Sequence, residues 1–144
     1  MANRQPNINM CPATDANIHV TISNTYNNEN IWALNNTTRG KNTYDKLEIG
    51  DICIFGNLKS GYNYYGKIKE KRVLDDYSIW PYPSPSDTSW KYAFVLEDIK
   101  ICNISPIRAR ELRGWPNNKQ SWQTQTKLKP GHGYENFYNY LNNL

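Results

Sequence analysis

The chain has 144 residues, 38% hydrophobic and 13% aromatic, with eleven Tyr, five Trp and a formal charge of +4. That length supports one domain with a core of its own. A mean hydropathy of −0.82, with no apolar run near the roughly 20 residues of a membrane span, excludes a helical membrane protein, and the modest positive charge favours an anionic partner without making a general polyanion binder.

Residues 1–17 are polar, Asn-rich and Pro-containing and predict a flexible leader ahead of a single domain over 18–144. The Met1–Pro6 start has no apolar signal core, which sets a cytoplasmic location as the expectation. Ile18–Ile22 is β-branched and reads as a first strand, ended by Ser23-Asn24-Thr25. Tyr26–Glu29 reads as a short helical turn leading into Ile31-Trp32-Ala33-Leu34.

Leu47–Asp51 is a turn feeding the strand Ile52–Gly56. Asn57–Gly61 makes a hairpin connection and Tyr62–Val73 the returning strand. Alternation puts Tyr65, Lys67, Lys69 and Lys71 on a wet, basic face and Tyr64, Gly66 and Ile68 on a core face. Leu74–Ser89 turns to Asp, Ser and Pro, a long loop of the kind that is often functional. Trp90–Ile104 resumes the strand pattern, with a phase slip near Asp98. Pro106–Arg113 predicts a helix, capped by Ser105 and ended by Gly114. Tyr134, Phe137, Tyr138 and Leu141 mark an amphipathic C-terminal helix. The sum is an α+β chain: a small, curved, mostly antiparallel barrel flanked by helices.

Of the three cysteines, Cys53 and Cys102 lie in apolar strand-like runs and Cys11 completes no CxxC pair, so free thiols are expected. His19 and His132 belong to no ligand motif, so neither a metal nor a cofactor is expected. No nucleophile elbow, P-loop or dinucleotide glycine pattern is present. Adjacent acids such as Asp75-Asp76 point to opposite faces of any strand. The chemistry on offer is recognition rather than catalysis.

Two tryptophans carry that reading. Trp32 and Trp80 stand in polar surroundings. Two indoles can sandwich a flat heterocycle, at about 1–3 kcal/mol per aromatic wall, while amides and hydroxyls read the base edge. Ser23 and Asn24 are candidates for that edge. The bland reading is that both indoles close the ends of the barrel. Alternating lysines on the returning strand fit either a solvated edge strand or a phosphate track.

The order strand, Ser23-Asn24, Asn-rich turn, Ile31-Trp32, then Gly50-Asp51-Ile52-Cys53-Ile54-Phe55, then Tyr65-Gly66-Lys67-Ile68 resembles the EVE/YTH branch of the PUA-like superfamily. Trp80 takes the place of that branch's second cage tryptophan, Tyr92–Leu96 its next strand, and Trp122–Leu128 its closing motif. The resemblance implies a PUA-like, EVE/YTH-like curved barrel and a pocket for a modified, often methylated, base. In YTH domains the base is N6-methyladenine in RNA; in the front domains of McrB-type restriction proteins it is a modified DNA base flipped from the duplex.

Carried over, Trp32 and Trp80 are cage walls, with Tyr82 or Trp90 as a third. Ser23, Asn24 and the backbone carbonyl of Ala33 meet the base edge. Arg39, Lys41, Lys67, Lys69 and Lys119 hold phosphates. Ala33-Leu34 replaces the small polar pair common in RNA-reading YTH domains, which favours DNA. The expectation is a non-catalytic reader of a methylated adenine or cytosine in DNA, serving a restriction system with a fused or associated NTPase or nuclease. An RNA reader of N6-methyladenine, and an interaction domain whose tryptophans are core, stand as alternatives.

Overall fold

The computed structural model describes residues 5–23, 28–73, 90–116 and 125–144. In chain order these form β1 (Ile8–Pro12), α1 (Asp15–Ile22), β2 (Asn30–Asn35), α2 (Thr38–Lys46), β3 (Ile52–Asn57), β4 (Gly61–Val73), β5 (Trp90–Ile104), α3 (Pro106–Arg113), β6 (Thr126–Lys127) and α4 (Tyr134–Asn142). The strands make one curled sheet in the order β2-β5-β4-β3-β1-β6, the α+β half-barrel flanked by helices that the sequence predicts. None of the described helices is long and apolar enough to cross a membrane.

The expected leader is corrected. Ile8–Pro12 pairs in parallel with Ile52–Gly56 and antiparallel with β6, and Ile8, Met10 and Cys11 are fully buried. A five-residue strand inside an Asn-rich stretch leaves little compositional trace. Its start is fixed from β3, because the buried Asp51 carboxylate accepts from the Asn7 main-chain N–H and side-chain amide.

The expected strand at Ile18–Ile22 is also corrected: it is the body of α1. Thr14 caps the helix by accepting from the Asn17 N–H. Helical spacing then turns Asn17, Ile18 and Thr21 inward together, and this packing overrides the β-branched preference. Helix α2, which the sequence reading does not anticipate, has only Gly40 buried.

The hairpin β3–β4, the long strand β5, α3 with its Ser105 cap and Gly114 stop, and α4 all form as predicted. The phase slip near Asp98 is real. Asp98 and Asn103 have positive φ, at 55° and 51°, beside register shifts between β4 and β5. A further shift between Ile68 and Glu70 makes Lys69 an extra residue in β4. It overturns part of the predicted alternation. Lys71 falls opposite Phe94 on the inner face, leaving the face it was expected to share with Lys67.

The curled sheet carries two main cores. On its outer face Ile8, Met10, Ile52, Ile54, Tyr62 and Ile104 pack under α3 and α4, which contribute Ala109, Leu112, Phe137 and Leu141. On its inner face Trp32, Leu34, Cys53, Phe55, Ile68, Phe94 and Leu96 pack with Ile18 of α1. Cys11, Cys53 and Cys102 are buried and free. Burial pushes the Cys53 thiol well up and the Cys102 thiol up to about 12, so both stay protonated.

Candidate nucleic-acid interface

Strand β2 lies at one end of the sheet order and, among the described residues, pairs with β5 alone. The phase of its backbone follows from its neighbours. Ile68 of β4 directs both its N–H and its carbonyl toward the β3 side, donating to Asp51 O and accepting from the Gly50 N–H. Alternation across the two ladders, through Lys67↔Glu97 and Asn30↔Leu96, then turns Ile31, Ala33 and Asn35 away from β5 to the free edge.

Side-chain bonds agree. The Thr21 hydroxyl of α1 donates to Ile31 O at 2.8 Å. The Asn30 amide reaches Thr21 O and Ile22 O at 2.9 and 3.1 Å. At the other end Asn35 O accepts from the Thr37 N–H at 2.9 Å, and α2 comes so near that a Cβ on Gly40 would lie 2.1 Å from that oxygen. Of the three edge carbonyls, Ile31 and Asn35 are thus engaged by the helices on either side. Ala33, between them, turns its N–H and C=O to the same edge by alternation.

The sequence reading missed Asn17. It sits one turn before Thr21 on the same helix face. With the Thr21 hydroxyl bonded to Ile31 O, the same buried face of α1 that carries Asn17 is turned toward β2. Asn17 is one of few buried polar side chains, at 7% exposure. The signal was the i, i+4 pairing of Asn17 with Thr21, hidden by reading Asn17 as the end of a leader and Ile18–Ile22 as a strand.

The expected cage residues fare differently. Trp32 is on the inner face, 7% exposed, and meets Phe55 edge to face, with ring centroids 5.1 Å apart. It is a member of the inner core rather than an open wall. Trp90 is corrected as a partner for it. A register shift places Trp90 opposite Asn35, where it packs on the outer-face cluster of Ile31, Ala33, Ala93 and Val95. The two indoles occupy opposite faces of the sheet. Trp80, Tyr82 and Asn24 lie outside the described residues. Ser23 ends α1 beyond Thr21, and its exposed hydroxyl donates to Val20 O.

Of the expected phosphate ligands, Arg39 and Lys41 are exposed on α2 beside this edge, with Lys41 paired to Asp45 at 2.7 Å. Lys67 and Lys69 are exposed on β4, two strands away. Lys119 lies outside the described residues. Glu29, just before β2, takes a bidentate pair from Arg72 at 2.9 and 3.0 Å, and Arg72 also binds Glu70 at 2.6 Å. The Arg72 hydrogen bonds hold the Glu29 carboxyl below its ordinary range. A separate cleft of about 370 Å³ lies between α1 and the β3–β4 hairpin, on the side of α1 away from β2, and contains none of the expected site residues. Among the described residues no group of His, Cys, Asp or Glu is arranged to hold a metal.

No family model and no curated protein matches the chain. Among solved structures it is similar to the N-terminal domain of Thermococcus gammatolerans McrB bound to m5C DNA, with a TM-score of 0.61 and 12% identity over 95% of this chain and 98% of that one. The chain therefore shares the fold of that domain, a curved sheet flanked by helices, as the sequence resemblance implies.

Proposed function

We propose that the chain is a non-catalytic reader of a modified base in DNA, and that the base enters at the open edge of β2. The observation that carries this is the outward carbonyl of Ala33, held between two helix-braced neighbours. A carbonyl can only accept. Adenine and cytosine each carry an exocyclic amino donor, whereas thymine offers a carbonyl at the corresponding place. N6-methyladenine keeps one such N–H, and 5-methylcytosine keeps both. The Ala33 carbonyl is thus suited to modified adenine or cytosine.

In this reading Asn17 supplies the second base-edge contact, since an amide both donates and accepts. Trp32 forms the floor, and Trp80 and Tyr82 close the aromatic enclosure. Arg39 and Lys41 meet phosphates and orient the strand, while Lys67, on β4 two strands from β2, leaves the set of phosphate ligands the sequence suggested. The base reaches the site extruded from its stack, at a cost of a few kcal/mol in duplex. The likeness to a McrB domain bound to methylated DNA supports DNA as the partner and a restriction system, with an NTPase or nuclease, as the setting.

One observation favours a second reading. The near-complete burial of Trp32 against Phe55 is what a structural domain with core tryptophans would show. Tryptophan-fluorescence titration with duplex and single-stranded DNA and RNA, each bearing 5-methylcytosine, N6-methyladenine or no modification, separates the readings. A modified DNA preferred at least tenfold over its unmodified counterpart is the expected result. Preference for a methylated RNA moves the partner to RNA. Equal binding to all overturns base reading and leaves a general polyanion binder, and binding to none leaves the structural domain.

A further inference from the structure

Four side chains at the corner of α2, β4 and β5 have no part in the pocket. Tyr44 of α2 and Tyr92 of β5 are half-buried neighbours, with ring centroids 5.4 Å apart and planes tilted by 44°. Each carries an ammonium. Lys71 Nζ stands 4.3 Å from the Tyr44 centroid, and Lys91 Nζ 5.7 Å from that of Tyr92. Lys71 is fixed further by donating to Leu47 O at 3.0 Å. Lys41 is paired with Asp45, and Lys71 and Lys91 add two further ammoniums among the described residues of this corner.

The corner adjoins the β2 edge. Tyr92 is the cross-strand partner of Leu34, and Ala93 that of Ala33. Tyr44 and Tyr92 also pack on the inner core that holds Trp32, so the corner and the floor of the proposed site share one face of the sheet. Lysines at rest on aromatic faces have already lost part of the rotamer freedom that a free surface lysine gives up on binding, which favours capture of an anion.

We infer that Lys71 and Lys91, braced by Tyr44 and Tyr92, form a phosphodiester-binding shoulder for the nucleic-acid strand that flanks the base site. The inference rests on the reading of Ala33 as that site. Neither residue is legible as a phosphate ligand from alternation, since it is the extra residue Lys69 that brings Lys71 to the inner face.

The test is the salt dependence of binding to one duplex with and without 5-methylcytosine, for the wild type, Lys91→Gln, Tyr92→Phe, the double variant Lys71→Gln/Lys91→Gln, and Lys67→Gln on the outer face. On duplex DNA each lost phosphate contact lowers the slope of log Kobs against log[salt] by about 0.9. Lys91→Gln is expected to lower it by that amount and the double variant by about twice as much, with affinities for both duplexes falling together. Lys67→Gln is expected to leave it unchanged. Should the double variant unfold, Lys91→Gln and Tyr92→Phe, at half-buried positions, decide the matter. An unchanged slope in Lys91→Gln, an equal fall in Lys67→Gln, or no DNA binding by the wild type overturns the shoulder. Equal wild-type affinity for both duplexes overturns base reading instead, while the slopes still report on the shoulder.

Discussion

The hydroxyl of Thr21 donates to the main-chain carbonyl of Ile31 at 2.8 Å, tying α1 to the strand that carries Ala33. Thr21 is fully buried, so this bond forms out of water and its loss leaves an oxygen that solvent cannot reach. Thr21→Val keeps the shape and removes the donor. It is expected to cost about 1–3 kcal/mol in urea denaturation. An unchanged midpoint would show that α1 is held to β2 by packing alone.

Asn17 tests the site rather than the fold. Asn17→Asp is close in size but exchanges an amide for a group that, ionised, only accepts. Binding to the preferred modified duplex is expected to weaken at least tenfold, the equivalent of about 1.4 kcal/mol. Undiminished binding by a folded variant would remove Asn17 from the base edge.

Gly40 is where α2 comes closest to β2. A Cβ there would lie 2.1 Å from Asn35 O, and the obstacle is backbone rather than a movable side chain. Gly40→Ala is expected to destabilise the protein by about 1–3 kcal/mol even though alanine is the better helix former. A stabilised variant would mean that α2 does not lie this close.

Acid should loosen the Glu29–Arg72 pair. The folded Glu29 carboxyl is held below the ordinary value of 4.5, chiefly by the Arg72 hydrogen bond. A depressed carboxylate contributes stability that is complete above its unfolded pKa and is lost as pH falls through the folded one. Glu29→Gln should therefore be less stable than wild type at neutral pH, with the gap closing on acidification from about pH 5 downward. Urea midpoints across that range measure it. A gap that stays constant with pH would show that the carboxylate contributes no proton linkage.

Elements with strong periodicity or clear punctuation were legible in the sequence. The β3–β4 hairpin, β5, and α3 between Ser105 and Gly114 form where the pattern puts them. The misses share one cause: residue type spoke against the packing. Ile8–Pro12 is short and set among amides, yet it is an inner strand of the sheet. Ile18–Ile22 has strand composition, but its capping and inward spacing are helical. α2 buries a glycine in place of an apolar stripe. At the proposed site, Trp32 stood out in the sequence by its polar setting and Ala33 through the family resemblance. Asn17 did not, because its place beside β2 depends on α1 being a helix. Trp90 was misplaced because a register shift reverses its face, which no alternation count reveals.

The extra residue Lys69 has a bearing on how this strand can change length. Were it deleted, Ile68 and Glu70 would become adjacent, as their partners Leu96 and Val95 already are, and Glu70, Lys71, Arg72 and Val73 would keep the sides they occupy. A second deletion would turn them over, carrying the Arg72 guanidinium toward the Phe94 side and Lys71 away from Tyr44. The strand can thus lose one codon here and keep its pleat, but not two.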